Sequence, residues 1–242
     1  MLLAIDIGNT LIKAAVFEQN TLLERVTFPN VELLNQVDFI LKKYPKINNL
    51  AVSSVGNLEK EVFSKINPNI KTYFVTKDIR FPFQNLYETP NSLGIDRMVL
   101  ATGAVLQFPN RNRLVIDAGT CVTYDFIDAE DNYLGGAISP GIRLRYESLH
   151  NYTAKLPLLT KSIPENLIGN STQDSIHSGV INGLTNEIDG FIEHYQQRYA
   201  NFIIILTGGD AEFLAKRLKN TIFANSNFLL ESLNQTFQYN HK

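Results

Sequence analysis

Short apolar, β-branched runs punctuate the chain: LLAI at 2–5, LAVSSV at 50–55, LVI at 114–116 and FIIIL at 202–206. Between them apolar residues return at helical spacing. In VELLNQVDFILKKY, 31–44, the side chains of Val31, Leu34, Val37, Ile40 and Leu41 fall on one face, and Pro45 forbids simple continuation of that helix. The stretches 97–108 and 175–199 read as buried helices with small residues at close approaches, and 211–218 as a further helix. Strands alternating with helices predict an α/β protein with mixed sheets.

The most informative pattern is an imperfect repeat. LLAIDIGNTLIKAAVF at 2–17 and LVIDAGTCVTYDF at 114–126 share an apolar strand, an Asp at its end, a Gly two residues on, a Thr close behind and a second strand-like run. Two similar halves with a cleft between them follow from such a pair. The turn-rich stretch Pro109, Asn110, Arg111, Asn112 marks the boundary, giving domains 1–112 and 113–242.

Charge then removes whole classes of partner. With 22 Lys plus Arg against 24 Asp plus Glu, and no run of like charges, neither nucleic acid nor a membrane surface is an expected partner. The apolar opening MLLAI has no basic leader or small-residue cleavage site, and no stretch reaches the length of a membrane span, so a soluble, cytoplasmic protein is expected. Cys121 has no second cysteine to pair with and reads as a buried, inert thiol. His150, His177, His194 and His241 lack metal-ligand spacing.

The glycine turns carry the candidate chemistry. In Asp6-Ile7-Gly8-Asn9-Thr10, Gly8 permits close backbone approach, Asn9 and Thr10 add hydrogen-bonding groups, and Lys13 supplies a cation near a terminal phosphate. Hairpin chemistry alone also accounts for this turn, as it does for Asp117-Ala118-Gly119-Thr120. Together, two such turns from related halves suit opposite ends of one polyphosphate. Asp6 and Asp117 read as sparse magnesium ligands or as bases, since magnesium keeps several waters and takes few carboxylates. Thr207-Gly208-Gly209-Asp210 closes the FIIIL strand, where two glycines admit a nucleoside and Asp210 caps the next helix. Gly135-Gly136-Ala137-Ile138-Ser139-Pro140-Gly141 reads as a loop lining the cleft. In Gly94-Ile95-Asp96-Arg97 the acid either caps a helix or takes a substrate proton while Arg97 holds a polar or carboxylate end.

The ordered series DIGNT, LGIDR, DAGT, GGAISPG, TGGDA resembles the type III pantothenate kinases, of the acetate and sugar kinase, Hsp70 and actin superfamily. The likeness runs almost end to end. It implies two ribonuclease-H-like domains with mixed sheets flanked by helices, a homodimer with its active site near the interface, and ATP-dependent phosphorylation of pantothenate at the start of coenzyme A synthesis. It also implies that the segment Asp6, Ile7, Gly8, Asn9, Thr10, Leu11, Ile12, Lys13 binds ATP together with Thr120, Gly208 and Gly209. Asp96 becomes the catalytic base, Tyr87, Gly94, Ile95, Asp96 and Arg97 contact pantothenate, and Thr172 reaches it across the dimer. Asp117 becomes the ligand of a monovalent cation, potassium or ammonium, needed besides magnesium. Two departures stand out: Cys121-Val122 where small residues and a further Thr are usual, and Ser232 where the family carries Gly. A Bvg accessory factor-like transcription regulator and a nucleotide-switched ATPase of the same fold are the alternative functions.

Overall fold

A computed structural model of the chain describes residues 1–54, 63, 66 and 70–241. In chain order the elements of the first part are β1 (Leu2–Ile7), β2 (Ile12–Glu18), β3 (Thr21–Phe28), α1 (Leu33–Lys43), β4 (Asn49–Ser54), β5 (Lys71–Phe74), β6 (Gln84–Asn85) and α2 (Ile95–Gln107). There follow β7 (Asn112–Ala118), β8 (Cys121–Ile127), β9 (Asn132–Pro140), α3 (Ile142–Asn151), α4 (Thr172–His177), a π-helical turn at Ser178–Asn182, α5 (Gly183–Arg198), β10 (Phe202–Thr207), α6 (Ala211–Ala215), β11 (Phe223–Ala224) and α7 (Phe228–Asn240). Val55, the last residue of the second apolar run, lies outside the described residues.

Two compact units result: Met1–Pro109 with Asp131–Tyr133 and Asn227–Lys242, and Asn110–Glu130 with Leu134–Ser226. The sequence reading makes one cut between 112 and 113; these units part at Pro109 and Asn110, and the first also takes Asp131–Tyr133 and the last helix. Each unit is built on the same strand order. The first sheet runs β3-β2-β1-β4-β5, and the second has the same order in β9-β8-β7-β10-β11, with the two-residue β6 added beside β9. In both, the central strand pairs antiparallel with the strand that follows its turn, β1 with β2 and β7 with β8, and parallel with a later one, β1 with β4 and β7 with β10. The repeat in the sequence is therefore a repeat of topology.

The central strands are buried because both of their faces are covered, which is why they read as continuous apolar runs. β1 and β4 pack with Val37 and Ile40 of α1 in the first core. In the second, Leu114, Ile116 and Leu206 pack with Ile181, Leu184 and Ile188. α7, to which the sequence reading assigns no element, packs on α2 in the first unit. There a Cβ on Gly103 would lie 1.9 Å from Ser232 Oγ, and Ser232 turns its hydroxyl back to donate to Phe228 O at 2.6 Å. The departure from Gly to Ser at 232 thus leaves α2 room only because position 103 is itself glycine.

Four expectations change in detail. The helix expected over 31–44 begins as a 3₁₀ turn at Asn30–Glu32 and is α-helical from Leu33. The one expected over 175–199 starts earlier, at Thr172, and carries the π turn in its course. The one expected over 211–218 ends its α-helical part at Ala215. Residues 135–140 form the end of β9 rather than a loop. Gly135 there takes φ +100°, and a Cβ on Gly136 would fall 1.5 Å from Tyr124 O, so glycine lets the strand lie close on β8. Pro140, which has no N–H to offer a ladder, ends it.

Candidate active site

In the first unit the acid of the first turn is held from a neighbouring strand. Asp6 is buried on β1 and stands in register with Lys13 of β2 and Ser53 of β4. Ser53 Oγ donates to Asp6 Oδ1 at 2.8 Å. The Gly8 N–H reaches Leu11 O at 3.3 Å and closes the turn, leaving Asn9, Thr10 and Leu11 exposed. Ile7 and Ile12 are core side chains, so a ligand reaches them only through their main chain. Lys13 is half-buried at the far side of the hairpin.

The second unit repeats this station with different neighbours. Asp117 stands in register with Thr123 of β8 and Thr207 of β10. The hydroxyls of Thr123 and Thr207 are buried and make no hydrogen bond among the described residues. Cross-strand partners share a face of a sheet, so the row 207, 117, 123 offers oxygens as its only polar side-chain atoms. Gly119 and Thr120 are the whole connection between β7 and β8, with Gly119 N–H on Cys121 O at 2.9 Å. Cys121 is half-exposed at the start of β8, not buried: directly after a tight turn it has too little structure over it to be sealed.

The 208–210 turn folds over the end of β7. Asp210 N–H donates to Ala118 O at 3.0 Å, and Gly208 takes φ +97°. The expected cap by Asp210 is not made among the described residues; its carboxylate meets Lys161 Nζ at 2.5 Å instead. Beside Gly209 opens a cleft of about 770 Å³ walled by Phe213, Arg217, Asn182 and Thr185. Arg217 lies 3.8 Å from the centre of the Phe213 ring, a cation on a π face.

The third group belongs to the first unit. Gly94 is the N-terminal cap position of α2, and the Asp96 carboxylate folds back over it: Oδ1 accepts the Arg97 N–H at 2.9 Å, and a Cβ on Gly94 would meet Oδ1 at 2.4 Å. Asp96 is half-buried, whereas Arg97 is buried with its guanidinium 5.7 Å from the centre of the Tyr87 ring. Ile95 opens the helix and is half-buried. Lys77 Nζ donates to Asn91 O and ties down the segment that leads into this turn. Thr172, in the second unit, is exposed at the first position of α4, whose cap is Ser171 Oγ accepting from Asp174 N–H at 3.1 Å.

Sequence reasoning passed over Ser53, gave Thr207 no role of its own within its turn, and passed over Lys161, Phe213 and Arg217. The signal for the first two was a hydroxyl ending an otherwise apolar strand; nothing in the sequence alone marks the other three. Among the described residues no three His, Cys, Asp or Glu gather as a metal cluster, and no helix is long and apolar enough to cross a membrane.

The model of the type III pantothenate kinase family matches residues 2–194. A type III pantothenate kinase of Flavobacterium johnsoniae is 64% identical over 99% of this chain and 98% of its own. One from Flavobacterium psychrophilum is 62% identical over 99% of each chain. Among solved structures, a Campylobacter jejuni protein described as a Baf family transcriptional activator superposes with a TM-score of 0.67 at 22% identity, covering 99% of this chain and 98% of its own. That likeness speaks for the fold alone, mixed sheets flanked by helices. From a family match over most of the chain and relatives alike nearly end to end, it follows that the chain belongs to the type III pantothenate kinases, enzymes that phosphorylate pantothenate with ATP.

Proposed function

We propose that Asp96 is the base of this kinase and that its two acid-and-glycine turns take the phosphates of ATP. The hydroxyl oxygen of pantothenate bonds to the γ-phosphorus, the bond to the bridging oxygen of ADP breaks, and the hydroxyl proton passes to Asp96. A carboxylate is a weak base toward an alcohol, so it orients the hydroxyl first and takes the proton late. The observation that carries this reading is the constellation at α2: a carboxylate folded over glycine, a buried guanidinium beside it and an aromatic face on that guanidinium. Arg97 and Tyr87 then hold pantothenate, with the main chain of Gly94 and Ile95 closing on it.

Main-chain groups from Asp6 to Lys13, the Lys13 ammonium and Thr120 bind phosphate, and the cleft beside Gly208 and Gly209 receives the nucleoside, with Phe213 and Arg217 as its wall. Asp6 fits magnesium as a sparse oxygen ligand, and the ion, when bound, would neutralise phosphate charge. Asp117 with the hydroxyls of Thr123 and Thr207 is an all-oxygen set that suits potassium or ammonium. Thr172 serves the neighbouring active site in a homodimer, and the enzyme works in the cytoplasm.

A coupled assay of ADP release tests the reading. Release that needs pantothenate and rises with potassium or ammonium is the expected result. Hydrolysis indifferent to pantothenate, or none, overturns it, and sedimentation at assay concentration tests the dimer.

A further inference from the structure

Arg145 of α3 and Glu187 of α5 stand outside every turn assigned to substrate, yet both are tied to the strands around Gly119-Thr120. Arg145 gives Nε to Pro140 O at 2.8 Å and Nη2 to Ser139 Oγ at 3.0 Å and to Glu187 Oε2 at 2.5 Å. Glu187 Oε1 accepts from Ser139 Oγ at 2.5 Å and from the Tyr124 hydroxyl at 3.0 Å. Tyr124 is fully buried on β8, the strand that leaves the turn, and Ser139 and Pro140 end β9 beside it.

The end of β9 held in this way is seated on the turn itself. Gly141 donates its N–H to Thr120 O at 3.0 Å, and a Cβ there would lie 2.2 Å from Gly119 O and 2.6 Å from Thr120 O. Main chain meets main chain with no side chain between, so a displacement of Pro140 passes directly to Thr120. Burial alone raises the Glu187 carboxyl, but the donors Ser139, Arg145 and Tyr124 outweigh it and hold the group below the ordinary carboxylate range. The Tyr124 phenol is pushed up, by burial first and then by the Glu187 charge, and stays a donor.

An ion pair whose side chains remain 21% and 26% exposed adds little stability by itself. What it does supply is direction, because a planar guanidinium and a carboxylate each engage several partners in fixed geometry. We propose that Arg145 and Glu187 are positioning residues for ATP: they lock Ser139, Pro140 and Gly141 and so set the carbonyl and hydroxyl of Thr120. The proposal rests on reading Gly119-Thr120 as a phosphate turn.

The test compares Arg145→Lys, which keeps the charge but loses the planar fork, and Glu187→Gln, which keeps the shape but loses the charge, with Thr120→Ala. KM for ATP should rise about fivefold to twentyfold in each of the first two, as expected for a weakened charge-assisted hydrogen bond acting through the turn. KM for pantothenate should stay within about twofold, and the double variant should be no worse than the poorer single one, since the two residues act as one unit. Equilibrium binding of ADP, which needs no turnover, should weaken by a similar factor. If Thr120→Ala raises KM for ATP while Arg145→Lys and Glu187→Gln do not, the positioning role fails and the phosphate turn stands. If both KM values rise together, the pair is merely structural and the proposal also fails. If Thr120→Ala leaves KM for ATP unchanged, the phosphate reading of the turn falls and the proposal falls with it.

Discussion

Gly208 lies against the carboxylate of Asp117: a Cβ built on it would meet Asp117 Oδ1 at 2.4 Å and Ala118 O at 2.3 Å, in a backbone at φ +97°. Side chain and conformation are thus excluded together. Gly208→Ala should cost roughly 1–3 kcal/mol in urea unfolding for its left-handed backbone alone, and it should weaken ATP. Gly209 next door has nothing within 4 Å of its built Cβ, so Gly209→Ala should unfold at nearly the wild-type midpoint. Equal losses at both positions would refute the close-approach argument.

Asp96→Asn keeps the shape over Gly94 and removes the base. Turnover should fall about 10²–10⁴-fold, the usual range for a positioned base, with KM for ATP little changed. Steady-state kinetics with both substrates checks this, and turnover near wild type would move the base elsewhere.

Asp117→Asn retains the fit against Gly208 and removes one charge from the oxygen row with Thr123 and Thr207. The activity of the wild-type enzyme should climb as potassium replaces sodium at constant ionic strength, and that of the variant should not. A variant still activated by potassium would remove Asp117 from the cation site.

Stability toward acid should carry the signature of Glu187. Its folded pKa is depressed below 4.5, so the stability it lends is fully present above that pH and is lost as pH falls through the folded value. Urea midpoints measured from neutral pH downward should drop more steeply for wild type than for Glu187→Gln across that interval. Parallel curves would mean that the carboxylate gains nothing from its donors on folding.

Gly103 and Ser232 should behave as one packing unit. Gly103→Ala forces a methyl onto Ser232 Oγ and should destabilise by roughly 1–3 kcal/mol, the usual cost of overpacking. Ser232→Gly alone should cost about 0.5 kcal/mol, the difference in helix propensity between Ser and Gly. The double variant should cost less than the sum, read as a coupling in denaturant melts. Strict additivity would show that the two helices adjust around either change.

The sequence displays what short-range patterns can encode. Two hairpins with an acid and a glycine are visible because each is spelled by consecutive residues, and their central strands are visible because burial on both faces makes them wholly apolar. Hidden were the features that depend on distant partners. Residues 135–140 look like a loop because Gly136 answers to the Tyr124 carbonyl rather than to a local turn. Ser53 has meaning only once β4 lies beside Asp6, and Arg145 only once α5 brings Glu187 to it. α7 repeats apolar residues at Leu229, Leu233 and Phe237, a signal that the striking turns upstream outweighed.

The return of α7 to the first unit has a bearing on how the protein is made. Everything from Asn110 to Ser226, apart from Asp131–Tyr133, belongs to the second unit, and only then does the chain supply Phe228, Leu229, Leu230 and Leu233 to the first. During synthesis domains tend to fold in the order in which they emerge. Here the unit begun first is completed after the second, and until α7 has emerged from the ribosome α2 carries an uncovered face. Nascent chains stalled after Ser226 should therefore shield the second core from protease before the first.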